Sequence, residues 1–332
     1  MRVSGYAGIA GWRLLLLSVM VGAAIAAATT IGESRSAADS LSVVVASAAP
    51  LVLITLAATI VLSVGDLDLS IGGGYTFYGM ALLALASLGV SAPAAYVSCF
   101  ALAVAIGIVQ GQMIVRRRLS PLVTTLATAT ILFGVSLLIE HWMRLRAEGL
   151  VAVGQGGAAA IPVISRTLPE SYRPIILRYA IPWALSAIIL LEYWRRRTLW
   201  GLQHVAVGWN RAAAQLAGLP SAAIRTRAFL MSSILSFGSA ALVISGFQRG
   251  GWDPRAGAGL ELIAIMCAVI GGTRIGGGTI EPMGAALAIL LWEALAHLQY
   301  VSPLVGPETQ QLVIGALLLA VAIVGARSTA SN

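Results

Sequence analysis

The sequence contains no lysine; each of its 21 basic residues is an arginine. A phosphate-binding loop of the Gly-x-x-x-x-Gly-Lys-[Ser/Thr] type is therefore excluded, and with it nucleotide hydrolysis by that route. Cysteine is nearly missing too. Cys99 and Cys267 both sit inside apolar runs without metal-ligand spacing, which argues against a structural disulfide or a metal centre. The three histidines, His141, His204 and His297, lie far apart in sequence, and no His/Asp/Glu cluster of catalytic spacing is present. No catalytic residue, metal site or cofactor is expected. Charge is scarce as well: 10% of residues are charged, against roughly 25% in ordinary soluble domains.

What fills the chain instead is apolar: 58% of the residues are hydrophobic, and the mean hydropathy is +0.90. That balance assigns the protein to the membrane. The 36 glycines exceed the usual share of about 7%, and small residues let helices approach closely in lipid. The expectation is a single all-α domain over residues 1–332, a polytopic transmembrane bundle. A span needs about twenty apolar residues. Ten candidate runs lie near 13–31, 43–64, 71–90, 93–115, 121–140, 175–194, 228–247, 259–272, 280–298 and 310–326, the eighth being short. The first resembles a signal peptide in having Arg13 before it and Ala26–Ala28 after, but its length favours a retained helix.

The net charge of +8 comes from arginines at the ends of apolar runs, so topology explains it better than nucleic-acid binding. With both termini in the cytoplasm, Arg116–Arg118, Arg195–Arg197, Arg211, Arg225, Arg227, Arg274 and Arg327 all fall inside. The one long external segment then covers about 141–175 and is rich in Gly, Ala and Pro.

A polar cytoplasmic segment, about 195–227, holds a short helix with both ends marked. Asn210 can cap its start, Arg211 to Ala217 favour helix, Gly218 supplies a left-handed residue beyond its end, and Pro220 forbids continuation. Two turns of helix are unstable alone and must dock on something. Two glycine-rich breaks interrupt the apolar runs. The first, Gly65 to Gly74, carries Asp66, Asp68, Ser70 and Gly72; the second, Gly271 to Thr279, carries Gly271, Gly272 and Thr273. Such backbone near membrane depth must be buried in protein or face a water-filled path. These breaks read equally as tight turns, with Asp68 and Ser70 capping the third span, or as part of a pathway.

At these residues the chain resembles the permease subunits of ribose-type ABC importers. Their Gly-Gly-Ile-Asp-Leu-Ser-Val-Gly stretch is met here by VGDLDLSIGG, and their Ser-Pro-Phe-type opening of a later span by Leu119 to Leu126. Their Gly-Arg-x-x-x-Ala-x-Gly-x-Asn-x-x-Ala-Ala-x-x-x-Gly segment resembles Gly201 to Gly218, with Gly208, Asn210, Ala213, Ala214 and Gly218 aligned. Gly259 to Ala264 and Gly271 to Thr273 match their Gly-Tyr-Glu-Leu and Gly-Gly-Thr motifs, so the likeness runs from about 43 to 326. The chain departs from the pattern at Leu202, at Glu293-Ala294, and at Glu281-Pro282.

The resemblance implies a solute pathway between two permease subunits, fed by an external solute-binding protein and driven by separate cytoplasmic ATP-binding subunits. It implies that Asn210, Arg211, Ala213, Ala214 and Gly218 couple to the ATPase. Pathway candidates are the residues of the two breaks together with Thr124, Thr125 and Glu293; Gln112 and Thr128 add neutral polar groups suited to a hydroxylated solute such as a sugar. Glu293 is expected to pair with Arg249, Arg255 or His297, or to line the pathway. Glu261, at the start of the eighth span, reads as a helix-start acid. The competing reading is a secondary transporter driven by an ion gradient, with Asp66, Asp68 and Glu293 as ion sites.

Overall fold

The computed structural model describes residues 15–27, 37–152, 180–247 and 252–301, with isolated positions between 308 and 319. Its elements in chain order are α1 (Leu15–Ala27), α2 (Ala37–Ser63), α3 (Ile71–Ser87), α4 (Ala92–Arg116), α5 (Pro121–Ala152) and α6 (Ala180–Arg197). They continue as α7 (Leu199–Trp209), α8 (Arg211–Leu216), α9 (Ser221–Leu242), α10 (Leu260–Ile270) and α11 (Pro282–Val301). All-α character holds among the described residues, and the first nine expected spans each overlap a helix. The tenth falls largely outside the described residues.

Among the described residues five helices are long and apolar enough to cross a membrane: 38–63, 92–116, 121–146, 221–245 and 282–301. Two of the expected spans are shorter than read. The eleven residues of α10 rise only about 16 Å, half of a ~30 Å hydrocarbon core. The seventeen of α3 reach about 25 Å. Both end early, α3 at Ser87 before the turn at 88–89 and α10 at Ile270 before the turn at 271–272, where glycine closes the helix. By contrast α5 runs on through residues 141–152, which the sequence assigns to the external loop. An i,i+4 ion pair, Glu140–Arg144, and Arg146 stacked 5.5 Å from the Trp142 ring support that extension. The rest of the expected loop, like Arg249, lies outside the described residues.

The bundle is built around α2, which is buried from Ala48 to Ser63 apart from Leu51 and packs against α6, α9, α10 and α11. Pro50 sits inside it, and its carbonyl accepts a hydrogen bond from Ser239 Oγ of α9 at 2.7 Å. On the other side of α9 lies α4. Gly107 and Gly111, one turn apart, face the backbone of Leu230 and Thr226 so closely that a side-chain carbon would stand 2.7 and 2.8 Å from their Cα atoms. This is small-residue packing, the usual way that helices gain contact where lipid offers no hydrophobic drive.

Candidate functional site

The arginine-rich end of the bundle carries the capped segment. Thr198 starts α7 by accepting the Gly201 N–H at 3.2 Å. Asn210 then ends α7 and caps α8, its Oδ1 accepting the Ala213 N–H at 2.9 Å. At the other end Gly218 has φ +79°, Gly218 N–H bonds Gln215 O and Leu219 N–H bonds Ala214 O, both at 3.0 Å. That pair of bonds is a Schellman closure, which satisfies the last carbonyls of the helix. Ala214 is buried beneath α8, whereas Ala213 faces out and Leu216 is 91% exposed. The sequence reading missed α7, an eleven-residue helix hidden in the polar segment.

Asp66 is a binding hub for arginines. Its side chain is 2% exposed, and Arg225 grips it with both arms of the guanidinium, Nε to Oδ2 at 2.6 Å and Nη2 to Oδ1 at 2.9 Å. Arg211, first residue of α8, donates from Nη2 to Asp66 Oδ1 at 3.3 Å and to the Val64 carbonyl at 3.2 Å. A buried carboxylate is tolerable only when paired and hydrogen-bonded, and bidentate arginine is the strongest such partner. The clamp joins three elements: the α2–α3 break, α8 and the base of α9.

Two residues on, Asp68 forms a second, neutral-donor network. It accepts from Ser70 N at 2.9 Å, Ser70 Oγ at 2.5 Å, Gln110 Nε2 of α4 at 3.1 Å and Ser232 Oγ of α9 at 2.6 Å. Ser70 stands at the N-cap of α3 but makes no side-chain cap bond, contrary to the expectation. Its backbone is already helical, at φ −88° and ψ −6°, whereas a capping residue is extended and so aims its side-chain oxygen at the N–H groups of the first turn. Gln110 and Ser232 were not picked out from the sequence, because nothing local separates them from polar neighbours such as Gln112, Ser233 and Ser236.

The two glycine-rich breaks meet each other and the α7–α8 junction. Gly278 N–H donates to Ser63 O at 2.9 Å. A side-chain carbon at Gly208 would collide with that same Ser63 carbonyl, and one at Gly277 would stand 2.8 Å from Gly208 and from the Gly65 nitrogen. Arg274 covers the outside, its guanidinium 4.9 Å from the Trp209 ring. Behind this contact Gly271 abuts Gly284 and Ala285, and Thr273 Oγ1 accepts the Glu281 N–H at 3.3 Å. Glu281, outside the resembling pattern, lies 3.8 Å from Arg195.

Other candidates are placed differently. Thr124, Thr125 and Thr128 turn their hydroxyls to carbonyls of α5 and its N-cap, at Ser120, Leu122 and Thr124. Among the described residues Glu293 makes no ion pair with Arg255 or His297, and His297 Nε2 is buried without a hydrogen bond. Gly72 packs against Gly257 and the Glu261 carboxylate. The loop before α10 is fastened nearby, with Trp252 Nε1 donating to Thr76 O at 3.1 Å and Gly257 N to Thr76 Oγ1 at 2.8 Å.

Comparison with known proteins decides the class. Residues 40–322 match the family of branched-chain amino acid transport system permease components. The chain belongs to this permease family. The permease is 26% identical over 263 residues to the L-arabinose ABC transporter permease of Azospirillum brasilense, covering 78% of this chain and 71% of that one. It is 27% identical over 279 residues to the galactofuranose transporter permease of Escherichia coli K12, covering 83% and 76%. Over 320 residues it is 26% identical to the autoinducer 2 import system permease of the same strain, covering 94% and 91%. No solved structure matches it. The permease is thus the multi-pass membrane component of an ABC importer rather than its ATPase, and the ion-gradient alternative is set aside.

Proposed function

We propose that this permease lines the path of a sugar or similar hydroxylated solute. A binding protein delivers the solute from outside, and a separate ATP-binding subunit docks on α8. The sugar assignment rests on the relatives, two of which are named for L-arabinose and galactofuranose. A second permease subunit, identical or related, completes the pathway. The arginines of the α6–α9 and α10–α11 connections support a cytoplasmic side for that end and for both termini.

The observation that carries the docking role is the orientation of α8. Its lone cation, Arg211, is committed inward to Asp66, while Ala212, Ala213, Gln215 and the nearly bare Leu216 face out. A helix built to lie on anionic lipid would turn its cations outward instead. Asp66 and Asp68 already hold full sets of donors, so their part is in holding the structure around the path. Gly72, Gly271, Gly272 and Thr273 belong to the same framework, and Thr124, Thr125 and Glu293 remain candidate positions beside the path.

The test is reconstitution in liposomes with the companion subunits, using radiolabelled pentoses and hexoses that raise the melting temperature of the binding protein. Uptake that requires ATP and the ATPase subunit is expected. Sustained accumulation by the permease alone refutes the reading.

A further inference from the structure

Two acids two residues apart tie separate parts of the bundle to one short strand of non-helical backbone. Asp66 holds Arg211 of α8 and Arg225 at the base of α9, and Asp68 holds Gln110 of α4 and Ser232 deeper in α9. Backbone spans at most about 3.5 Å per residue, so Asp66 and Asp68 are never more than about 7 Å apart. A link of two residues leaves little slack. A shift of α8 that drags Asp66 must displace the Asp68 network or break the clamp.

The other contacts at this level run mostly to backbone: Gly65, Gly208 and Gly277 bring three backbones together, and Arg211 also donates to the Val64 carbonyl. Asp66 also stands where the ribose-type motif has its second glycine, as aligning its Asp-Leu-Ser with Asp68, Leu69 and Ser70 makes plain. The motif itself therefore does not supply the clamp.

We propose that Asp66 is a positioning residue for transport: through Arg211 and Arg225 it passes movement of the ATPase-docking helix to the α2–α3 break and, by way of Asp68, to α4 and α9. This rests on the docking role of α8 proposed above. The ion pairs form a rigid link because the carboxylate is buried and its contact with Arg225 is bidentate, so it resists both rotation and stretching.

The decisive quantity is solute moved per ATP hydrolysed by the complete importer in proteoliposomes, read beside retention of the ATPase subunit on immobilised permease. Asp66→Asn is expected to lower the transport ratio at least tenfold while the ATPase subunit is retained. Asp66→Glu, which keeps the charge, should retain a third or more of it. A ratio within twofold of wild type for Asp66→Asn overturns the proposal. So does loss of ATPase retention, which would make Asp66 a shaper of the docking surface only. Should Asp66→Asn fail to reach the membrane, Arg225→Lys, which keeps the charge and loses the fork, must show a graded loss; a wild-type ratio there overturns the proposal equally. Failure of the docking reading is told apart by Leu216→Asp on α8, which would then leave retention of the ATPase subunit unchanged.

Discussion

His204 is 1% exposed, with its Nδ1 2.8 Å from the Trp200 carbonyl, its ring 4.7 Å from that of Trp194, and Nε2 lacking a hydrogen bond. Burial holds its pKa down, to about 4, and the nearby Arg227 acts in the same direction against the Trp200 hydrogen bond. A histidine kept neutral in the fold binds fewer protons than in the unfolded chain, so stability is complete above pH 6.5 and is lost as pH falls toward 4. At pH 5 the loss due to this group is about 2 kcal/mol. Thermal unfolding in detergent at pH 7.5 and pH 5 should show that drop in the wild type and a smaller one in His204→Phe. At the start of α8, Asn210→Ala removes the bond to Ala213 N–H and should cost about 1 kcal/mol, measured the same way. Asn210 and Gly218 were legible in the sequence because a cap is a local event, settled within a few residues. Asp66 was legible only as a polar residue in a break. Its partners lie 145 and 159 positions away, and no local pattern names them.

At the scale of elements, the long apolar helices α2, α4, α5, α9 and α11 were readable because length and hydropathy alone define them. The eighth run was readable as a short one at residues 259–272, but the extent of the helix within it, Leu260–Ile270, was not. Nor was α7, where Val205, Val207 and Gly208 weaken the helix signal and docking on neighbouring elements, with His204 and Val207 buried, compensates. Packing between α4 and α9 gives a direct test. Gly111→Leu forces the side chain into Thr226 and should destabilise the bundle by about 3 kcal/mol, seen as earlier thermal aggregation of detergent-purified protein. The end of α8 gives another. Gly218→Val must adopt a positive φ that costs about 1–2 kcal/mol per residue, and nothing else crowds the position. Uptake by the complete importer should fall severalfold while membrane insertion is unchanged; undiminished uptake would show that α8 tolerates an altered end.

As a whole molecule the permease holds no fuel site and depends on what is bound beneath it. Its class was legible from the missing lysine, the sparse charge and four ordered motifs, and family membership agrees. The convergence of Gly65, Gly208 and Gly276–Gly278 beside the Asp66 clamp is a product of tertiary folding: it joins three motifs that the sequence presents separately. If that end of the bundle receives the ATPase, the exposed Leu216 is the side chain best placed to enter its surface. The most direct measurement is the affinity of the ATPase subunit for the permease in nanodiscs, wild type against Leu216→Asp. A charged side chain at a desolvated contact should weaken binding at least tenfold, about 1.4 kcal/mol or more, with no change in the fold of the permease. Equal affinities would contradict the account.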